Sequence, residues 1–222
     1  MQLAGRESWR IGIGGEQAVH SLLFIRDVWG LEPSGADVPP SLVGGLPEIE
    51  PDLSTDERAE MSAAWLEWWR RFIHVEGATE RGEFARVADR DVGRARQRAA
   101  VFAVFDPPEF ATLAESPALQ KAARQVCNQA LQWRVEHRAV APDRRSAWLA
   151  QKAVAESVIE EYQVGPSRVS AGVIVLEVSG QWSNIPEPGV LLCSSGFFVD
   201  DEVFLPALKR TFETGLRISS KM

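Results

Sequence analysis

The strongest pattern of apolar and polar positions in the chain covers residues 54–75. Five large apolar residues there recur at i, i+4, i+7, i+8 and i+11, which places four aromatic rings on one side of an α-helix. They are Met61, Trp65, Trp68, Trp69 and Phe72. Ser54 or Thr55 supplies a capping oxygen, and acidic residues follow in the first turn. The pattern predicts a core helix around which the rest of the chain is organised.

Two other segments of the first half are predicted to be helical. Residues 19–29 contain an apolar run, Leu22 to Ile25, which fits a buried helix or a buried strand; Gly30 favours the helix because it can act as a C-cap. Residues 84–102 have an amphipathic pattern whose apolar members lie within about 80° of one another, with arginines on the other side. The apolar members are Phe84, Ala88, Val92, Ala95, Ala99 and Phe102.

The third quarter of the chain predicts two more helices. Ser116 and Pro117 form an N-cap and a first-turn proline for a helix that reaches about Arg138. Its inner stripe is Leu119, Ala122, Ala123, Val126, Ala130, Trp133 and His137. Pro142 opens the next helix, which closes at Gly165. Its inner residues are Trp148, Ala155, Val158, Ile159 and Tyr162.

Strands are predicted near both ends of the chain. Residues 8–13 alternate apolar and polar, whereas residues 171–178 are β-branched and largely apolar, and residues 190–194 are a second such run. The segment 180–189 between the last two strands is predicted to be a loop because it is rich in proline, glycine and asparagine. The N-terminal strand is expected to pair with the C-terminal pair in one small sheet, antiparallel or mixed.

The chain is predicted to end in a helix over residues 203–214. Acidic residues 200–202 suit its N-terminus and Gly215 suits its end. Pro206 is compatible with this helix only if it lies in the first turn, because proline has no N–H to donate.

These elements predict an α+β fold: a mostly helical middle of four to five helices and a small antiparallel or mixed sheet. The whole chain, residues 1–222, is expected to be a single domain, since 222 residues can bury a sizeable core. Residues 31–53 hold many prolines and glycines and cannot form a regular element. This segment is a long ordered wrap or a flexible linker, and segments of such length often contribute to function.

Composition and charge narrow the function classes. The net charge is -7, so the overall field of the molecule repels phosphate polymers and acidic membrane surfaces. Cys127 and Cys193 lack metal or disulfide spacing, and no apolar leader or spanning segment is evident. The sequence therefore predicts a cytoplasmic protein, and its excess of arginine over lysine is typical of a GC-rich bacterial genome.

Candidate catalytic residues are few. Cys193 and Ser194 lie where a predicted strand meets a turn, roughly where a nucleophile would be placed, but the G-x-S-x-G spacing is absent. A nucleophile also needs a base, and His137 is one of only three histidines. The simpler interpretation of His137 is a histidine bonded to a backbone carbonyl, and that of Cys193 and Ser194 is a plain turn. No metal-binding motif and no cofactor motif is present.

Candidate binding residues lie in residues 81–98 and in the C-terminal quarter. Segment 81–98 is locally basic and could hold an anionic partner through Arg86, Arg90, Arg94 and Arg98. Trp182 is a contact candidate because it lies in a predicted loop.

The absence of a catalytic signature favours a non-catalytic module that binds another protein, such as an adaptor, a regulator or a neutralising partner. The alternative is a small hydrolase or transferase that uses Cys193 or Ser194. Binding of an anion or a nucleic acid through the arginines of residues 81–98 is third. The sequence leaves the oligomeric state open.

Overall fold

The computed structural model describes residues 8–14, 17–47, 49, 53–83, 90–137 and 144–218. Within them lie seven helices and a four-stranded mixed sheet, which confirms the predicted α+β class with more helices than expected. In chain order the elements are β1 (Arg10–Gly14), α1 (Gln17–Val28), α2 (Thr55–Glu80), α3 (Arg90–Phe102), α4 (Pro117–Glu136), α5 (Arg144–Tyr162), β2 (Ser170–Leu176), β3 (Ser183–Glu187), β4 (Val190–Ser194), α6 (Ser195–Phe198) and α7 (Asp201–Ile218). No helix in the described ranges is long and apolar enough to cross a membrane.

The sheet has the strand order β1-β2-β4-β3, in which β1, β2 and β4 are parallel and β3 is antiparallel to β4. The predicted union of the N-terminal strand with the C-terminal strands is confirmed. The prediction of a loop over residues 180–189 is wrong, because β3 lies inside it. β3 is an edge strand, where Pro186 is tolerated and few apolar residues are required, so its sequence resembles a loop.

Helices cover both faces of the sheet. Residues of α1, α2 and α4 pack on one face together with Val190 and Leu192 of β4. Residues of α5 and α7 pack on the other face with Leu191 and Cys193. β4 is buried on both sides, which explains why its first four residues are all apolar rather than alternating with polar ones.

Helix α2 is the central helix, as predicted. All five residues of its aromatic stripe are buried, and Ser54 and Glu57 form a capping box at its start. The three indole N–H groups of the stripe each donate to a backbone carbonyl, at 2.7 to 3.0 Å. Near its end a Cβ added at Gly77 would lie 2.6 Å from Val190 Cγ2, so glycine lets α2 approach the sheet.

The described part of the irregular segment, residues 31–47, is an ordered wrap fixed to α1. Arg26 is buried and donates to the carbonyls of Pro39 and Pro40 at 2.6 and 2.8 Å. Asp27 accepts from the Leu42 N–H at 2.7 Å. The buried guanidinium therefore satisfies two carbonyls of the wrap that would otherwise lack a partner in a helix or strand.

The predicted inner face of α5 is wrong for two of its five residues. Trp148 and Tyr162 of α5 are about half exposed, whereas the predicted Ala155 and Val158 are fully buried. The buried part of α5 is therefore narrower than its apolar pattern.

Helix α7 differs from the predicted C-terminal helix at two points. It continues past Gly215, and it holds Pro206 in its second turn, where the proline is exposed to solvent.

Candidate functional site

The candidate nucleophiles at the end of β4 are fully buried. Cys193 faces the α5 and α7 layer, and burial raises the pKa of its thiol to about 12. The Ser194 hydroxyl accepts hydrogen bonds from the N–H groups of Phe197 at 3.2 Å and Trp182 at 3.1 Å. These contacts make Ser194 the cap of α6.

His137 lies on the opposite side of the sheet from Cys193. It follows α4, its Nδ1 lies 2.9 Å from the Trp133 carbonyl oxygen, and its ring stacks on the indole with centroids 4.6 Å apart. His20 is also buried, and its Nε2 accepts from the Glu177 N–H at 3.1 Å. The sheet therefore separates Cys193 from the helix that carries His137.

A cleft between α2, β3 and the wrap brings together residues that the sequence did not connect. Its volume is about 280 Å³, and Asp37, Trp69, Arg70, Ile73, His74, Pro186 and Glu187 line it. His74 and Glu187 are 113 residues apart in sequence, and Nδ1 of the histidine lies 3.1 Å from the carboxylate. The only sign of this cleft in the local sequence was that Arg70 and His74 lie one helical turn apart on α2.

The charged groups of the cleft form two pairs. Arg70 donates to both oxygens of Asp37, at 2.8 and 3.0 Å, and this hydrogen bonding lowers the pKa of Asp37. The second pair is His74 with Glu187, whose carboxylate also lies 3.9 Å from Arg81. Because Glu187 occupies Nδ1, His74 has Nε2 left for a ligand.

The arginines of residues 81–98 differ in burial, and some of them lie outside the described residues. Arg81 is buried and forms an ion pair with Glu83 at 2.8 Å. Arg86 lies outside the described residues, as do the side chains of Arg90 and Arg94. Arg98 is exposed, as is Arg96, which lies two residues earlier in α3. The last candidate, Trp182, is half-buried just before β3 and bonds Ser194 through its backbone.

The described part of the apolar stripe faces solvent, so the inward orientation implied by the amphipathic pattern is wrong for these residues, whereas Phe84 and Ala88 lie outside the described residues. Phe102 is 63% exposed and Val92 is 40% exposed, and Ala95 and Ala99 between them are also exposed. Gly93 is buried instead, and α3 as a whole packs on α2. This is an exposed apolar ridge of a kind that marks interaction surfaces.

In the described ranges no group of three His, Cys, Asp or Glu side chains is placed to hold a metal ion. Comparisons with protein-family models, with curated proteins and with solved structures found no match to this chain.

Proposed function

We propose that this protein is a non-catalytic module that binds another protein, and that α3 carries the docking surface. The observation that supports the proposal is the outward orientation of the α3 stripe, defined as Val92, Ala95, Ala99 and Phe102. An amphipathic surface helix normally turns its apolar stripe towards the core, because that burial stabilises the fold.

The energy available from this stripe is sufficient for a binding anchor. An aromatic side chain has an area of roughly 200 Å², and about two thirds of Phe102 is exposed. Burying that part against a partner contributes about 3 kcal/mol at about 25 cal/mol per Å². A contribution of this size is typical of a residue that dominates a protein interface.

The test compares what co-purifies with the tagged full chain and with two variants. Val92→Glu combined with Phe102→Glu places two charges on the stripe, while Val135→Glu changes an exposed apolar residue of α4 as the control. We expect proteins that co-purify with the wild type to be retained by the control and lost from the double variant. An identical set of bound proteins for all three would overturn the proposal.

A second candidate function, a small hydrolase or transferase, is supported by the pair of His74 and Glu187. The carboxylate bonds Nδ1, which leaves Nε2 to act as a general base towards a molecule in the cleft. Hydrolysis of an activated ester that is lost in His74→Ala and retained in Arg71→Ala would support it. Equal rates for the two variants would exclude this role for His74.

A further inference from the structure

We infer that the partner presents an acidic amphipathic α-helix to the α3 stripe. This inference rests on the proposed function and names the structure and charge of the segment that α3 receives. Three features of α3 support it: the shape of the stripe, the charges beside it, and the lack of free backbone groups on a helix with which an added β-strand could pair.

The shape of the stripe suits a helix. Val92 and Phe102 are large and stand at its two ends, about 15 Å apart along the helix axis. Ala95 and Ala99 lie between them, so the surface of the stripe is lower in its middle than at its ends. Small residues at such positions let two helices approach to about 8–10 Å, so two to three turns of a partner helix fit between the larger ends.

The charges beside the stripe are positive except for Asp91, which lies on the same side as Arg98 in the first turn. At about 100° per residue, Arg96 falls on one side of the stripe and Arg98 on the other, and both are exposed. Helix α3 contains four arginines and a single acidic residue, Asp91 in its first turn, in a chain whose net charge is -7. Glutamates that flank the apolar positions of a partner helix would meet these guanidinium groups, as flanking charges do in coiled coils.

Other occupants fit this surface less well. Two copies of α3 packed face to face would bring Arg96 and Arg98 near their own counterparts, and like charges repel. A nucleic acid would leave the apolar centre of the stripe without a partner, because phosphates contact the arginines alone. A peptide that binds as an added β-strand needs the open edge of a sheet, which α3 does not offer because a helix uses its backbone groups internally.

The test uses two labelled 18-residue peptides with identical leucines at helical spacing, flanked by glutamates in one and by lysines in the other. Fluorescence anisotropy measures their binding to the full chain, with a uridine oligonucleotide as a third probe. We expect the acidic peptide to bind at least tenfold tighter than the basic one, and to weaken between 50 and 300 mM salt. Size-exclusion chromatography is expected to show no self-association that depends on the α3 stripe.

Two variants decide the role of the arginines. Arg96→Glu combined with Arg98→Glu is expected to invert the preference between the peptides, whereas Arg71→Glu, an exposed arginine of α2, is the control and leaves it unchanged. Binding of neither peptide, binding of the oligonucleotide alone, or dimerisation through the stripe would overturn the inference. Equal binding of both peptides, weakened in each case by Phe102→Ala, would overturn the acidic helix but leave protein binding through α3 in place.

Discussion

Replacing Phe102 by alanine, and separately Phe72 by alanine, tests whether the α3 stripe belongs to the core or to an interface. The two phenylalanines lie on neighbouring helices, and both belong to apolar stripes in the sequence. Phe72 is fully buried and contacts Phe105 edge to face, whereas Phe102 is 63% exposed. The same substitution should therefore have very different effects on the free energy of unfolding.

The burial of each ring sets the expected magnitude. For Phe72 the whole side chain is removed from the core, and a loss of about 3–5 kcal/mol is expected, including the cavity that remains. For Phe102 about a third of roughly 200 Å² is covered, which corresponds to less than about 2 kcal/mol as an upper bound. The better helix propensity of alanine offsets about 0.5 kcal/mol of this. We expect a net loss of about 1 kcal/mol or less for Phe102→Ala.

Urea denaturation followed by circular dichroism measures both values under the same conditions. The slope of the free energy against urea should be equal for the wild type and Phe102→Ala, since the surface exposed on unfolding changes little. A loss above about 2.5 kcal/mol for Phe102→Ala would show that the stripe is part of the core. In that case α3 would offer no docking surface.

Three other predictions concern single contacts. The hydrogen bond from Arg70 lowers the pKa of Asp37, so the pair stabilises the fold above a pH of about 4, and this stabilisation is lost as the pH falls. In urea titrations, the difference in the free energy of unfolding between wild type and Asp37→Asn should therefore shrink from about pH 5 to pH 2. Burial raises the pKa of Cys193 to about 12, so iodoacetamide at pH 8 should leave Cys193 unmodified in the folded protein but alkylate it in urea, as read by mass spectrometry. Its neutral thiol contributes stability below pH of about 8.5 that is lost as the pH rises towards 12, and native alkylation at the unfolded rate would contradict its burial. Gly77→Ala should cost about 1–3 kcal/mol in urea denaturation despite the better helix propensity of alanine, because the added Cβ meets Val190 Cγ2 at 2.6 Å; an unchanged stability would contradict this close packing.

Local signals in the sequence were enough to predict most helices and three of the four strands. Helix α2 carries its own period, cap and acidic first turn, and none of these depends on a distant residue. The helix over residues 17–28 was predicted by the glycine that follows it, Gly30, which adopts a φ of 57°. Strands β2 and β4 were predicted because central strands of a parallel sheet are apolar on both faces.

Only the tertiary structure decided which apolar faces are covered. The amphipathic pattern of α3 defines a stripe but not the direction in which it points; the described stripe residues are exposed, whereas Gly93, on another side of the helix, is buried. The cleft also depends on the tertiary structure, because His74 and Glu187 are 113 residues apart in sequence and nothing in the sequence around either residue indicates that the two will meet. Periodicity and capping act within a few residues and are written in the sequence, whereas burial and ion pairing depend on contacts that exist only after the chain has folded.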